Sequence, residues 1–352
     1  MSIVKFSEVA HRAYTREDRF NTEKIYYVGG EHIDSCELYV TKKGVIKGST
    51  IGPMFYCGFT AGQILFVTRN PHLKKCSIAD FDGICSEKTF VIETKDESIL
   101  TQEYLEIIMQ SDDFWNYCEE NKSGGVNYFL NWSTLADYEF ELPPIKQQLE
   151  IAQKVMSAYR LKQSYKKLLD ATREMVKSQF IEMFKGDNQV PLGDICNIEK
   201  GATITRNDVL PGEVPVVAGG QEPSCYHNVA NREAGAITVS ASGAYAGYIN
   251  FWNCPIFASD CNTIISKDDE KTDQTFVYFG LRAMQKQIYG LQKGGAQPHV
   301  YGKDLQKFMF PCPSYAKQIE FSKMAKQADK SEFELRKSIE AIDQVIKSLI
   351  NN

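Results

Sequence analysis

The nucleophile and phosphate-loop candidates in this chain do not assemble into a catalytic set. Ser164 and Lys167 have the SxxK spacing used in acyl transfer, but they lie inside a charged helical stretch where chance explains the pair. No Asn/Asp-Pro-Pro-Tyr/Phe quartet for adenine extrusion and methyl transfer is present, and the lone Pro143-Pro144 pair precedes a helix. The run from Gly295 to Lys303 lacks the spacing of a GxxxxGK[ST] loop and continues into Asp304. The ten cysteines, at 36, 57, 76, 85, 118, 196, 225, 254, 261 and 312, include no CxxC pair, so no zinc or redox motif is read from them. They read as small, buried, reduced thiols.

Non-covalent recognition fits the polar loops better. Reading base edges takes Arg, Lys, Asn, Gln, Ser or Thr on protruding loops, with cations for phosphates. Four loops qualify. Lys200, Thr203, Thr205, Arg206 and Asn207 form a polar, basic stretch, with Arg206 the leading bidentate donor to guanine or phosphate. Ser240, Ser242 and Tyr245 lie in a small-residue run able to approach a duplex closely. Lys293, Gln297, His299 and Tyr301 accompany Gly294-Gly295, and Lys122, Asn127 and Tyr128 accompany Gly124-Gly125. Each also has a structural reading: Gly-Gly with Gln shapes a turn, His299 is a hydrogen-bonded structural histidine, and Ser-Ala-Ser-Gly-Ala packs a strand crossing. Trp115, Trp132 and Trp252 read as core.

The elements that hold these loops repeat. An offset of 170 places Gly124 on Gly294, Gly125 on Gly295, Leu135 on Leu305, Phe140 on Phe310, Pro143 on Pro313, Gln148 on Gln318 and Glu150 on Glu320, with no gap. Upstream the offset becomes 173, pairing Gly62 with Gly235, Ile64 with Ile237, Ser86 with Ser259, Val91 with Ile264 and Ile92 with Ile265. Further upstream it is 190, pairing Gly29-Gly30 with Gly219-Gly220. Such drift implies loops of different length on one scaffold.

Each copy opens with short β-branched or aromatic runs bounded by Gly, Asn, Asp or Pro. A helical segment follows, at 101–119 and 273–290, then the Gly-Gly loop, a short strand ending in prolines, and a long helix. From Lys146 to Lys185 there is no Pro or Gly, and Ile151, Val155, Ala158, Leu161, Tyr165, Leu168 and Met175 define a seam closed by Gly186. From Lys317 onward Leu335, Ile339, Ile342, Ile346 and Leu349 step alternately by four and three. The expected organisation is a recognition domain at 1–145, a spacer helix at 146–186, a second recognition domain at 187–316 and a C-terminal spacer helix at 317–352. The fold class is α+β: two β-rich repeats separated by two long antiparallel helices in a pseudo-two-fold arrangement.

At 352 residues, 43% hydrophobic and 24% charged, the chain has the composition of a globular protein with two domains. No membrane span or export signal is read, and the expected location is cytoplasmic. The net charge of −5 disfavours nucleic acid on its face, but a local basic surface outweighs the total. Between Lys146 and Lys185 nine Lys or Arg face four Asp or Glu, which is a solvated face or one near DNA or an acidic partner. If the long helices pair antiparallel, two equivalent domains present one face each to successive major grooves. A helix of about 40 residues is roughly 60 Å long, enough to span a duplex turn of about 34–36 Å.

ELPPIKQQLEIA, followed by a helix ending FIEMFKG, resembles the central region of type I restriction-modification specificity subunits. GGAQPHVYGKDLQKFMFPCPSYAKQIEF resembles the close of that family's second target-recognition domain. PLGDICNIEKGATITRNDV resembles its opening, and ITVSASGAYAGYINFW with FASDCNTI its middle. The first domain departs further, with VNYFLNW for AQPHVYG and no PLG phrase. The resemblance implies a non-catalytic subunit that binds double-stranded DNA at a bipartite target. It implies two modification (methyltransferase) subunits docked on the helices, with restriction (translocase-nuclease) subunits joining them. S-adenosylmethionine, ATP and Mg would then belong to the partners, and this chain would hold no cofactor or metal. The alternatives are a DNA-targeting or scaffold subunit of another anti-phage complex, a carbohydrate-binding or adhesion repeat protein, and an unrecognised enzyme. The last is disfavoured because no set of catalytic residue types recurs between the copies.

Overall fold

Alternation along the central strands decides how each half of the chain is layered. The computed structural model describes residues 2–351, which fold as two units, one from residues up to 165 with those from 338 onward, the other from 166 to 337. In the first unit an antiparallel sheet has the order Ala10–Arg12, Thr89–Thr94, Ile64–Val67, Cys76–Ile78. Ile64, Phe66 and Ile92 face a layer containing Leu105, Met109, Phe114 and Trp115. Leu65, Val67 and Val91 face a second layer with Val28, Cys57, Phe59 and Cys85. That second layer is a five-stranded sheet, in the order Thr15–Arg16, Phe55–Phe59, Gly83–Ser86, Tyr26–Val28, Gly44–Val45.

The second unit repeats this plan. Its antiparallel sheet runs Cys196–Lys200, Cys261–Ser266, Ala236–Ser240, Ile249–Trp252. Its second layer is smaller, with strands Cys225–His227, Val214–Val217 and Phe257–Ala258. The parallel pairing of Tyr26–Val28 with Gly83–Ser86 reappears between Val214–Val217 and Phe257–Ala258. Despite lacking the PLG phrase, the first unit opens as the second does. A four-residue helix, Phe6–Val9 or Leu192–Ile195, buries Phe6 or Leu192 and feeds straight into the sheet.

One correction to the repeat concerns its offset within the sheet. In both copies a glutamine clamps the strand end: Gln102 accepts from the Thr94 amide at 2.9 Å and donates to the Ile92 carbonyl at 3.1 Å. Gln274 accepts from the Ser266 amide at 2.8 Å and donates to the Ile264 carbonyl at 2.9 Å. Ile92 is therefore equivalent to Ile264, an offset of 172 and not 173. A one-residue slip exchanges the faces of a strand; under the 173 offset Ile92 would have fallen on the more exposed Ile265.

The helical segment expected at 101–119 is two helices, Gln102–Gln110 and Asp112–Glu120, because Ser111 ends one and caps the other, accepting from the Phe114 amide at 3.2 Å. Its counterpart divides into Gln274–Ala283 and Gln285–Tyr289. The long helices are Ile145–Met183 and Tyr315–Ile350. Gly186 takes φ +84, the left-handed conformation expected of a residue that closes a helix. The matched glutamines tie each long helix to its unit. Gln148 accepts from the Thr101 amide and donates to the Ile99 and Pro143 carbonyls; Gln318 accepts from Asp273 and donates to Lys271 and Pro313.

The seam of the C-terminal helix is as read, with Ile346 buried and Leu335, Ile339, Ile342 and Leu349 half-buried. That of the central helix is rotated by one residue. Val155 is buried, Ile151, Ala158 and Tyr165 are half-buried, but Leu161, Leu168 and Met175 are 45, 52 and 46% exposed. The buried stripe runs instead through Gln148, Ala152, Val155, Tyr159 and Lys162, then Leu169, Val176 and Phe180. It tolerates a lysine because Lys162 pairs with Asp343 at 2.7 Å and with Glu37 at 3.4 Å. In the second unit Arg173 pairs with Glu332 at 3.0 Å, while Phe180 meets Phe321 and Asp187 meets Lys317, so the helices there run antiparallel. Counting apolar residues alone steps onto the neighbouring positions wherever the stripe carries a paired charge.

Burial of one carboxyl outweighs the hydrogen bonds it accepts. Glu106 is wholly buried in the first unit, accepting from Gln110 at 2.7 Å and from the Cys76 thiol at 3.5 Å, and desolvation pushes its pKa up to about 8. No helix of the described residues is long and apolar enough to cross a membrane.

Candidate nucleic-acid interface

Each unit carries the Gly-Gly segment as the same hairpin. In the first, the Ser123 amide donates to Phe129 at 2.8 Å and the Phe129 amide returns a bond at 2.9 Å. In the second, Lys293 and His299 exchange bonds of 2.9 and 2.8 Å. Gly124 and Gly294 take φ of +97 and +95, and a Cβ there would sit 2.7 or 2.8 Å from the carbonyl oxygen of residue 127 or 297. Only glycine closes this turn, and Asn127 and Gln297 are presented exposed at its far side.

Each hairpin docks on the end of a core strand by the same three contacts. Leu130 donates to the Thr68 carbonyl at 3.0 Å, Asn70 donates to the Tyr128 carbonyl at 3.0 Å, and Arg69 bridges Phe129. In the second unit Val300 donates to Ala241 at 2.9 Å, Gly243 donates to Pro298 at 3.1 Å, and Ser242 bridges His299. Asn70 and Gly243 both have positive φ, at +53 and +82. The structure thus joins Ser242, Lys293, Gln297, His299 and Tyr301 on one surface, and Lys122, Asn127 and Tyr128 on its counterpart.

The side chains on these surfaces are partly engaged. His299 and Tyr301 stack with centroids 6.0 Å apart, and Lys293 pairs with Asp304 at 2.7 Å, which holds that carboxyl below its usual range. Ser242 donates to Asp260, and Tyr245 is exposed nearby, its carbonyl accepting from the Tyr248 amide. Lys122 pairs with Glu119 at 2.6 Å and lies over the Tyr128 ring at 4.3 Å. Ser240 is a correction: it is 4% exposed, with its hydroxyl bonded to the Gly220 carbonyl at 3.2 Å, because its strand position faces inward.

The loop after Lys200 leaves the sheet at Gly201, where a Cβ would fall 2.1 Å from the Ser259 carbonyl oxygen. Beyond it Thr203, Arg206 and Asn207 are exposed, and Thr205 donates to Asp208 at 2.6 Å, a bond that lowers that carboxyl's pKa. Among the described residues no hydrogen bond or ion pair joins this loop to the hairpin. Sequence reading missed Arg69 and Asn70, although the 173 offset that superimposes Gly62 on Gly235 also superimposes Arg69 on Ser242. Among the described residues no cluster of three or more His, Cys, Asp or Glu is arranged to hold a metal.

Comparison with known proteins agrees with this layout. The family model of the type I restriction modification DNA specificity domain matches residues 186–344. The specificity subunit of the type I restriction enzyme EcoDI from Escherichia coli is 26% identical over 133 residues, which is 37% of this chain and only 29% of that subunit. The crystal structure of a type I restriction-modification S subunit from M. genitalium has a TM-score of 0.66 at 15% identity, covering 99% of this chain and 94% of that one. A chain solved in work on complex assembly and conformational transition of the type I R-M system has a TM-score of 0.58 at 18% identity, covering 99% and 96%. Residues 186–344 are thus similar to the type I DNA specificity domain, and the chain as a whole has the fold of the type I specificity subunits it resembles.

Proposed function

We propose that this chain is the DNA-reading subunit of a type I restriction-modification complex, each unit reading one half of a bipartite target. The observation that carries this is the duplicated surface: one sheet order, one glutamine clamp and one glycine-closed hairpin occur twice, with different side chains on the two hairpins. A repeated scaffold with divergent exposed residues is what an asymmetric two-part sequence requires. In this reading the exposed Thr203, Arg206, Asn207 and Tyr245 add contacts to bases or phosphates.

The long helices set the distance between half-sites, and their outward faces dock two methyltransferase subunits, with restriction subunits joining the assembly. Methyl transfer from S-adenosylmethionine and ATP- and Mg-dependent cleavage belong to those partners, and this chain contributes recognition. The test is to combine the full chain with its methyltransferase partner and map methylated adenines on genomic DNA. A split motif with an unspecified spacer supports the proposal, and a continuous motif refutes it.

A further inference from the structure

Two lysines of the first unit, Lys122 in the hairpin and Lys88, whose carbonyl accepts from Thr68 next to Arg69, are occupied. Lys122 pairs with Glu119 at 2.6 Å and Lys88 with Glu87 at 2.5 Å. Arg69 has no such direct partner, although it lies close enough to the Lys88-paired Glu87 to help hold that carboxyl below its usual range. Its guanidinium lies over the Phe129 ring, 5.3 Å from the centroid. Among the described residues it makes no ion pair, and none of its N–H groups donates a hydrogen bond. A ring face takes none of the five donors of a guanidinium, so a half-buried arginine placed this way keeps its bidentate fork for an acceptor from outside.

The equivalent position in the second unit is built for different chemistry. Ser242 makes the same backbone bridge to its hairpin, but its hydroxyl is committed to Asp260. The backbone contacts on either side are matched bond for bond, so the two units differ here in side chain and not in scaffold.

We infer that residues 69 and 242 form a specificity-determining position, at which Arg69 donates to O6 and N7 of a guanine in the half-site read by the first unit. Arginine bidentate to guanine in the major groove is the pairing its fork geometry favours. Ser242, already holding Asp260, imposes no such demand on the other half. This inference rests on the proposed function and names the position within it that selects a base.

The test uses the full chain with its methyltransferase partner and a panel of duplexes, each changed at one base pair of the mapped motif. Wild type is expected to lose about tenfold to a hundredfold in affinity when one guanine of a single half-site is replaced. Arg69→Gln should erase that preference while the other half-site keeps its full discrimination, which also shows that the variant is folded. Arg69→Lys should retain phosphate-type attraction but not the preference. Equal weakening on every duplex would make Arg69 a phosphate contact and overturn the inference, as would an unchanged preference in Arg69→Gln. A wild-type complex with no split motif would overturn the functional proposal and this inference together.

Discussion

Glu106 makes the stability of the first unit fall as pH rises. Its carboxyl has a pKa of about 8 in the folded chain against 4.5 when solvated. Below 4.5 both states hold the proton and the group has no influence. Between 4.5 and about 8 the folded state retains a proton that the unfolded state has released, so unfolding becomes easier at about 1.4 kcal/mol per pH unit. Over the whole interval the loss approaches about 5 kcal/mol, and between pH 6.0 and 7.5 it is about 2 kcal/mol. Above pH 8 both states are ionised and the curve is flat again. Glu106→Gln keeps the shape and the bond from Gln110 but cannot ionise. Urea unfolding followed through Trp115 and Trp132 of the first unit, at pH 6.0 and 7.5, should show the slope in wild type and its disappearance in the variant. A wild-type midpoint that does not fall over this range, or a variant that keeps the slope, would refute the reasoning. Tyr278 stands at the equivalent place in the second unit, so that unit provides an internal control.

Two further outcomes follow from the clamps and the helices. Gln318→Ala orphans the buried Pro313 carbonyl, at a cost of roughly 1–3 kcal/mol, and frees the part-buried Asp273 amide and Lys271 carbonyl, so urea unfolding of the second unit should register a loss of about 1–3 kcal/mol, with Gln148→Ala doing the same to the first. Inserting seven residues after Lys166 and seven before Ile339 preserves the buried four-three alternation and lengthens each helix by about 10 Å. The methylated motif should then keep both half-sites and gain about three base pairs of spacer; an unchanged spacer would count against the helices as its determinant.

What the sequence disclosed and what it hid divide along physical lines. The Gly-Gly hairpins and the paired Gln148 and Gln318 were legible because their backbone geometry admits few residue types: a positive φ demands Gly124 and Gly294, and a three-bond clamp demands an amide. The offset within the sheet was harder, since Val91, Ile92, Ile264 and Ile265 are alike in type and only the glutamine bonds tell which faces the helices. The central seam misled because Lys162 and Arg173 lie on the inward stripe with their partners Asp343 and Glu332, leaving Leu161 and Leu168 at the surface. Ser240 looked available for contact because small residues serve both exposed turns and packed strands. Arg69 went unnoticed because it stands sixty residues before the hairpin it joins, a pairing that only the fold reveals.

The most direct measurement is to replace residues 187–316 with the corresponding stretch of another specificity subunit and map the methylated adenines made with the same methyltransferase partner. With each unit reading its own half, one half of the motif should change to a new sequence while the other half persists unaltered. A motif that changes in both halves, or stays wholly the same, would contradict the division of labour on which the account rests.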